Sequence, residues 1–317
     1  MNTTLETAGT PAPVAAARGL GLTHTLLMLG RRELWEHRGL WLAPLVVAGI
    51  LTAACIVAIL YTHPDLHAVD LSWFTAEQRA AAFAGANWSL ASPLYLVAFM
   101  VVFFYLCDCL YAERKDRSIL FWKSLPVSDE LTVAAKFLIA TVAVPLGVYA
   151  LAAVTDLVFV CFWNLFVTVG GGPQLRMWDG AAWVRAESRQ LLVVILTSLW
   201  YAPIYAYLML ISAWVRRSLY LWVTLPPTLA PLLEYLTFRT HYVWDFINYR
   251  SFGIWRNLGL GHSQIVGGHH HPHFEGPEFG SGHFAAAFSN IDLWLGLLAA
   301  VALLYGAARI RRYRDDT

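Results

Sequence analysis

The chain has 317 residues, of which 58% are hydrophobic and only 14% charged, with a mean hydropathy of +0.53. That balance excludes a solvated soluble domain and places the chain in a bilayer. A net charge of +1 at pH 7 offers no cationic surplus of the kind nucleic acid selects.

Residues 1–22 lack both a basic leader and an unbroken apolar run, so they read as a disordered tail rather than a signal peptide. From Thr23 to Gly39 the pattern predicts a helix. Leu27 and Leu34, and Met28 and Trp35, repeat one heptad apart, while Arg31 and Arg38 stand ready to reach lipid headgroups, as in an interfacial helix. A membrane crossing takes about 20 mostly apolar residues, and six stretches qualify: Trp41 to Tyr61, Ala91 to Tyr111, Phe137 to Trp163, Gln190 to Trp214, Leu219 to Phe238 and Ile291 to Ala308. The expected fold is therefore an all-α integral membrane domain over 23–308 with six transmembrane helices, followed by a basic tail at 309–317.

Six spans put both termini on one side. With the N-terminus inside, 15 of the 22 Lys and Arg fall in inner segments and seven in outer ones, which makes both ends cytoplasmic and the location an inner membrane. The loop between the second and third spans, 112–136, is then cytoplasmic. It carries Arg114, Lys115, Arg117, Lys123 and Lys136, yet also the unbroken apolar run Ile119, Leu120, Phe121 and Trp122. An exposed apolar cluster of that kind marks a partner surface; the competing reading is ordinary inner-face charge with an aromatic belt. Beyond Pro126, Ser128 is a predicted N-cap with Asp129 and Glu130 in the first turn, where the helix dipole favours anions. A helix starting there runs on into the third span.

Within the membrane, ionisable groups are costly and mark functional candidates. Asp108 needs a cation, for which Arg216 or Arg217 is available. Asp156 lies 20 residues past Lys136, about 30 Å at helical rise, which reaches the outer boundary. Glu234 follows Pro226, Pro227 and Pro231, in an interrupted helix of the type that lines a wet cavity; it is a pathway candidate, with Arg189 or Arg239 as partners if it is instead half of an ion pair. Tyr201 and Tyr205, beside Pro203, suit either a route for an amphipathic substrate or simple packing. Cys55, Cys107, Cys109 and Cys161 all fall in predicted spans and read as packing, the C-x-C pair having no second pair to complete a zinc site.

The outer loop 239–290 contains an aromatic stretch at 241–258, a candidate re-entrant helix, and then His269, His270, His271 and His273 among glycines. Those imidazoles suit either a solvated loop or a metal site. No G-x-x-x-x-G-K-[ST] loop, H-E-x-x-H or G-x-S-x-G is present, so the commoner ATPase, zinc-protease and hydrolase signatures are missing.

The loop run from Glu113 to Ser128, ERKDRSILFWKSLPVS, together with an interfacial N-terminal helix and six spans, resembles the permease subunit of type-2 ATP-binding-cassette (ABC) exporters. The resemblance implies a pair of permeases, homodimeric or related, each driven by a separate ATPase subunit that docks on a cytoplasmic coupling helix. Glu113, Arg114, Asp116, Arg117, Ser118, Ile119, Phe121, Trp122 and Lys123 are the implied coupling residues. ATP and Mg would sit on the partner, leaving this chain with no cofactor, no metal and no catalytic residue of its own. The other function classes open to the sequence are a membrane-bound enzyme with a metal site in the His-rich loop and a non-transporting scaffold or sensor.

Overall fold

Apolar chain in a bilayer must satisfy its own backbone, and every regular element among the described residues is accordingly a helix. The computed structural model describes residues 21–62, 76–116, 127–169, 180–258 and 281–313. In chain order the helices are α1 (Leu22–Glu36), α2 (Gly39–Thr62), α3 (Ala76–Asp108), α4 (Tyr111–Lys115), α5 (Asp129–Leu138), a π-helical turn (Ile139–Ala143), α6 (Val144–Val169), α7 (Gly180–Trp214), α8 (Leu219–Phe238), α9 (Tyr242–Asn257), α10 (Ser281–Ser289) and α11 (Ile291–Tyr313).

Among the described residues, five stretches are long and apolar enough to cross a membrane: Gly39–Tyr61, Phe83–Lys115, Asp129–Val169, Gly180–Trp214 and Ile291–Tyr313. The chain is thus multi-pass. The sixth expected span, Leu219 to Phe238, is a continuous 20-residue helix (α8) but does not join the five. Pro226, Pro227 and Pro231, with Glu234, dilute its apolar character.

The bundle is held by close backbone approach. α11 lies along α7, with Ala202 and Ala206 facing Ala300, while α2 packs on α3 and α6, and α3 on α7. Small buried side chains such as Ala91, Ala98, Ala140 and Ala152 line the other seams, as expected where apolar surroundings supply no hydrophobic drive between helices. The outer faces stay apolar: Leu45, Val46 and Ile50 of α2, and Leu298 and Val301 of α11, are exposed. In water such a surface would aggregate; in a bilayer it is the solvated face.

α5, the π turn and α6 form one rod of 41 residues, about 60 Å at helical rise. Ser128 starts it as expected, its Oγ accepting from the Leu131 amide at 3.2 Å. The π turn immediately precedes Pro145, which has no amide to give the Thr141 carbonyl. Widening the turn, with Val144 N–H donating to the Ile139 carbonyl, absorbs that fault without breaking the rod.

Candidate functional site

α1 is amphipathic in the expected sense but with a polar secret on its inward side. Leu27, Met28 and Trp35 are exposed on one side, while Glu33 on the other is 4% exposed. The Glu33 carboxylate receives the Lys136 ammonium of α5 and, at 3.2 Å, the Tyr105 hydroxyl of α3; His37 Nδ1 lies 3.4 Å away. Lys136 Nζ also meets Glu113 Oε1 of α4 at 3.2 Å. Glu113 Oε2 accepts from Arg311 Nη2 of α11 at 2.9 Å, and Arg311 Nη1 reaches Asp129 Oδ1 at 2.6 Å. Three carboxylates therefore share two buried cations, Lys136 being 3% and Arg311 5% exposed.

Breaking such a network by removing one partner costs far more than a surface pair, because the remaining charge stays desolvated. Its effect here is positional. α1, α4, the start of α5 and the last turn of α11 are fixed to one another at the base of the loop 112–136.

Of the expected coupling residues, Glu113 is engaged within the chain, its carboxylate held inside the ion cluster. Arg114 is likewise engaged within the chain. Its Nη2 donates to the Ser212 and Val215 carbonyls at 2.6 and 2.7 Å, capping the end of α7, while Ser212 Oγ accepts from the Leu110 and Tyr111 amides. Asp116 is exposed and closes α4, its amide donating to the Ala112 carbonyl at 2.9 Å. Arg117, Ser118, Ile119, Phe121, Trp122 and Lys123 lie outside the described residues.

The four pathway candidates do not converge. Glu234 Oε1 accepts from Thr240 Oγ1 and the Tyr242 amide, and Oε2 from the Val243 amide, at 2.7, 2.8 and 2.7 Å. It caps the start of α9, whose own N-cap residue, His241, contributes no side-chain bond. Neither Arg189 nor Arg239 is needed as its partner, and Arg239 instead lies over the Tyr235 ring at 5.2 Å. Glu234→Gln is expected to leave the fold intact and to speed hydrogen exchange at the amides of Tyr242 and Val243, since a neutral amide is the weaker acceptor at a helix start. Unchanged exchange at those two positions would remove the capping role.

Tyr201 and Tyr205 are neighbours, with ring centroids 6.4 Å apart. Tyr205 is buried in the core, and Tyr201 is a junction: its hydroxyl donates to the Ser251 carbonyl at 2.8 Å and accepts from Trp255 Nε1 at 3.0 Å. Both serve packing, and Tyr201 seats α9, which occupies 242–257 of the stretch expected to be re-entrant. Asp156, 2% exposed on α6, lies beside Glu187 of α7. Asp108 is exposed.

Cys107 and Cys109 are buried, as packing residues are. The histidines at 269–273 lie outside the described residues, and among the described residues no three metal-ligating side chains come together. No family model, no curated protein and no solved structure matches this chain.

Proposed function

We propose that this chain is the membrane-spanning permease subunit of an ABC exporter, with α8 completing six spans, both termini cytoplasmic in an inner membrane, and a second permease beside it. The observation that carries the reading is the buried ion cluster at the base of the loop 112–136. A loop that receives force from an ATPase must be anchored to what moves. Glu113 and Arg114 fix the outgoing side of the loop to α11 and α7, and Asp129 and Lys136 fix the returning side to α11 and α1. A push at residues 117–126 is then delivered to a 41-residue rod that crosses the membrane.

The partner-facing residues narrow accordingly. With Glu113 and Arg114 committed inside the chain, the ATPase contact falls to the segment Arg117 to Lys123, in which Ile119, Phe121 and Trp122 form the apolar centre typical of an interface anchor. α1 presents Leu22, Leu27, Met28 and Trp35 outward, all exposed, which suits a helix lying in the headgroup layer.

The test is co-purification with the separate ATPase subunit that this reading requires. Trp122→Ala is expected to reduce recovery of the ATPase by about ten-fold or more, the scale of losing an aromatic hot spot, with insertion and monomer melting unchanged. Full recovery with the Trp122→Ala, Phe121→Ala double variant would sink the coupling assignment.

A further inference from the structure

Further along the rod from the ion cluster, well short of its Val169 end, α6 and α7 each place an acidic side chain inside the apolar bundle. Asp156 is 2% exposed, and neither of its carboxyl oxygens has a hydrogen-bond partner. Glu187 is 4% exposed; Oε1 accepts from Asn87 Nδ2 of α3 at 3.0 Å, and Oε2 has no partner. Asn87 links them, since it donates to Glu187 Oε1 and lines the same cleft as Asp156, so the two carboxyls share one buried site. Ionised carboxylates only accept, so they bond to one another only if a proton stands between them.

Among the described residues no cation is bonded to either carboxyl. The titratable groups facing the pair are Cys55 of α2, Tyr95 of α3 and Tyr149 of α6. Each of them is neutral in its ordinary state. Tyr95 Oη accepts from the Gln190 amide at 2.8 Å, Tyr149 donates to the Glu187 backbone carbonyl at 3.3 Å, and the Asp156 oxygens receive neither hydroxyl. Arg185 and Arg189 of α7 are exposed. Two like charges in one buried site, unpaired and out of water, are not a sustainable state. Beside Asp156 a narrow cleft lined by Asn87, Phe83, Phe159 and Trp163 opens from the site, a polar floor under apolar walls.

We propose that Asp156 and Glu187 form a proton-binding site in the membrane domain, holding one proton between the two carboxyl groups and exchanging it through the cleft beside Asp156. The site lies about 30 Å from Lys136 along the same rod, so taking up or losing the proton changes the charge within the element whose start is fixed in the ion cluster. The inference rests on the membrane reading of the helices and not on the ATPase partner; failure of Trp122→Ala to weaken ATPase binding leaves it standing.

The experiment uses the full chain in lipid nanodiscs and dicyclohexylcarbodiimide, which adds to protonated carboxylic acids in apolar surroundings. Peptide masses are expected to place the adduct on Asp156 or Glu187 at about pH 7, with labelling that falls roughly ten-fold per pH unit once the shared proton is titrated away. The Asp156→Asn, Glu187→Gln double variant should carry no adduct on these peptides. Absence of the adduct in the unaltered chain overturns the proposal without relying on any variant folding. Protection by sodium or calcium ions at fixed pH also overturns it, in favour of a cation site. As a second readout, the melting temperature of the unaltered chain should fall as pH rises, because a second negative charge is then forced beside the first. Asp156→Asn should flatten that slope, and parallel slopes in the two proteins would refute the shared proton.

Discussion

Lys136→Met is expected to be the most destabilising single substitution in the charged end of the bundle, at about 3 to 5 kcal/mol, the scale of removing one partner from a buried ionic network. The methionine retains most of the apolar stem, so packing against α1 changes little and the loss is electrostatic. Glu33 and Glu113 would lose the ammonium that stands between them, leaving Arg311 to balance both Glu113 and Asp129. Thermal melting in detergent measures the drop. The Lys136→Met, Glu33→Gln double variant should recover part of it, because the amide removes the stranded carboxylate and the two changes share one network. Melting of Lys136→Met equal to that of the unaltered chain would mean that the cluster is solvated and holds nothing together.

The same cluster explains how a short loop can command a large domain. Apolar helix faces in a bilayer slide and tilt with little penalty, since one lipid-like contact replaces another. A network of buried charges has no such freedom: each carboxylate is satisfied only at its own cation. The α1–α5 and α4–α11 contacts are therefore the rigid points of the charged end, and the alanine-lined seams between α2, α3, α6 and α7 are where relative motion costs least. Coupling in the proposed exporter would run through the rigid points and be expressed at the seams.

What the sequence made legible follows from the range over which each signal acts. Capping is local, so Ser128, Asp129 and Glu130 announced the start of α5 and the helix was found there. Long apolar runs announced the spans, and five are present as such. The ion cluster was not legible, because its members are far apart in sequence: Glu33 and Lys136 by 103 residues, Glu113 and Arg311 by 198. The available hint was Lys136, a lone cation in the apolar run VAAKFLIA, which has no reason to be there without a buried anion. The capping role of Glu234 was hidden for a related reason: Arg239, with φ at 54°, turns the chain so that α9 begins directly against the carboxylate. The sequence clue was that Thr240 and His241 leave the amides of α9 without a strong capping side chain of their own. Asp156 was found, but not Glu187, because partners on neighbouring helices leave no mark in the periodicity of either one.

Gly296→Ala is expected to unseat α9 without disturbing the rod. A Cβ at Gly296 would stand 2.1 Å from Arg250 Nη2 and 2.7 Å from its Cζ, closer than any real contact. The guanidinium is the far end of a long side chain, which ordinarily would swing aside, but here it is held on three sides. Nη2 donates to the Trp200 carbonyl at 2.7 Å, Nη1 to the Asp292 carbonyl at 3.1 Å, and the plane lies 4.5 Å from the Trp200 ring. Moving it forfeits hydrogen bonds from a charged donor worth about 1.5 to 3 kcal/mol each and leaves two carbonyls without their donors. Trp200 Nε1, which donates to the Arg250 carbonyl at 2.8 Å, the Tyr201 bonds to Ser251 and Trp255, and the Tyr249 bond to Asp292 would then hold the body of α9. Hydrogen exchange should accelerate across 242–257 and stay unchanged at 129–150. Adding Arg250→Met to Gly296→Ala should cost little more, because the contacts it removes are already gone; a full additive loss would show that the guanidinium had found room and that the glycine was not required for its place.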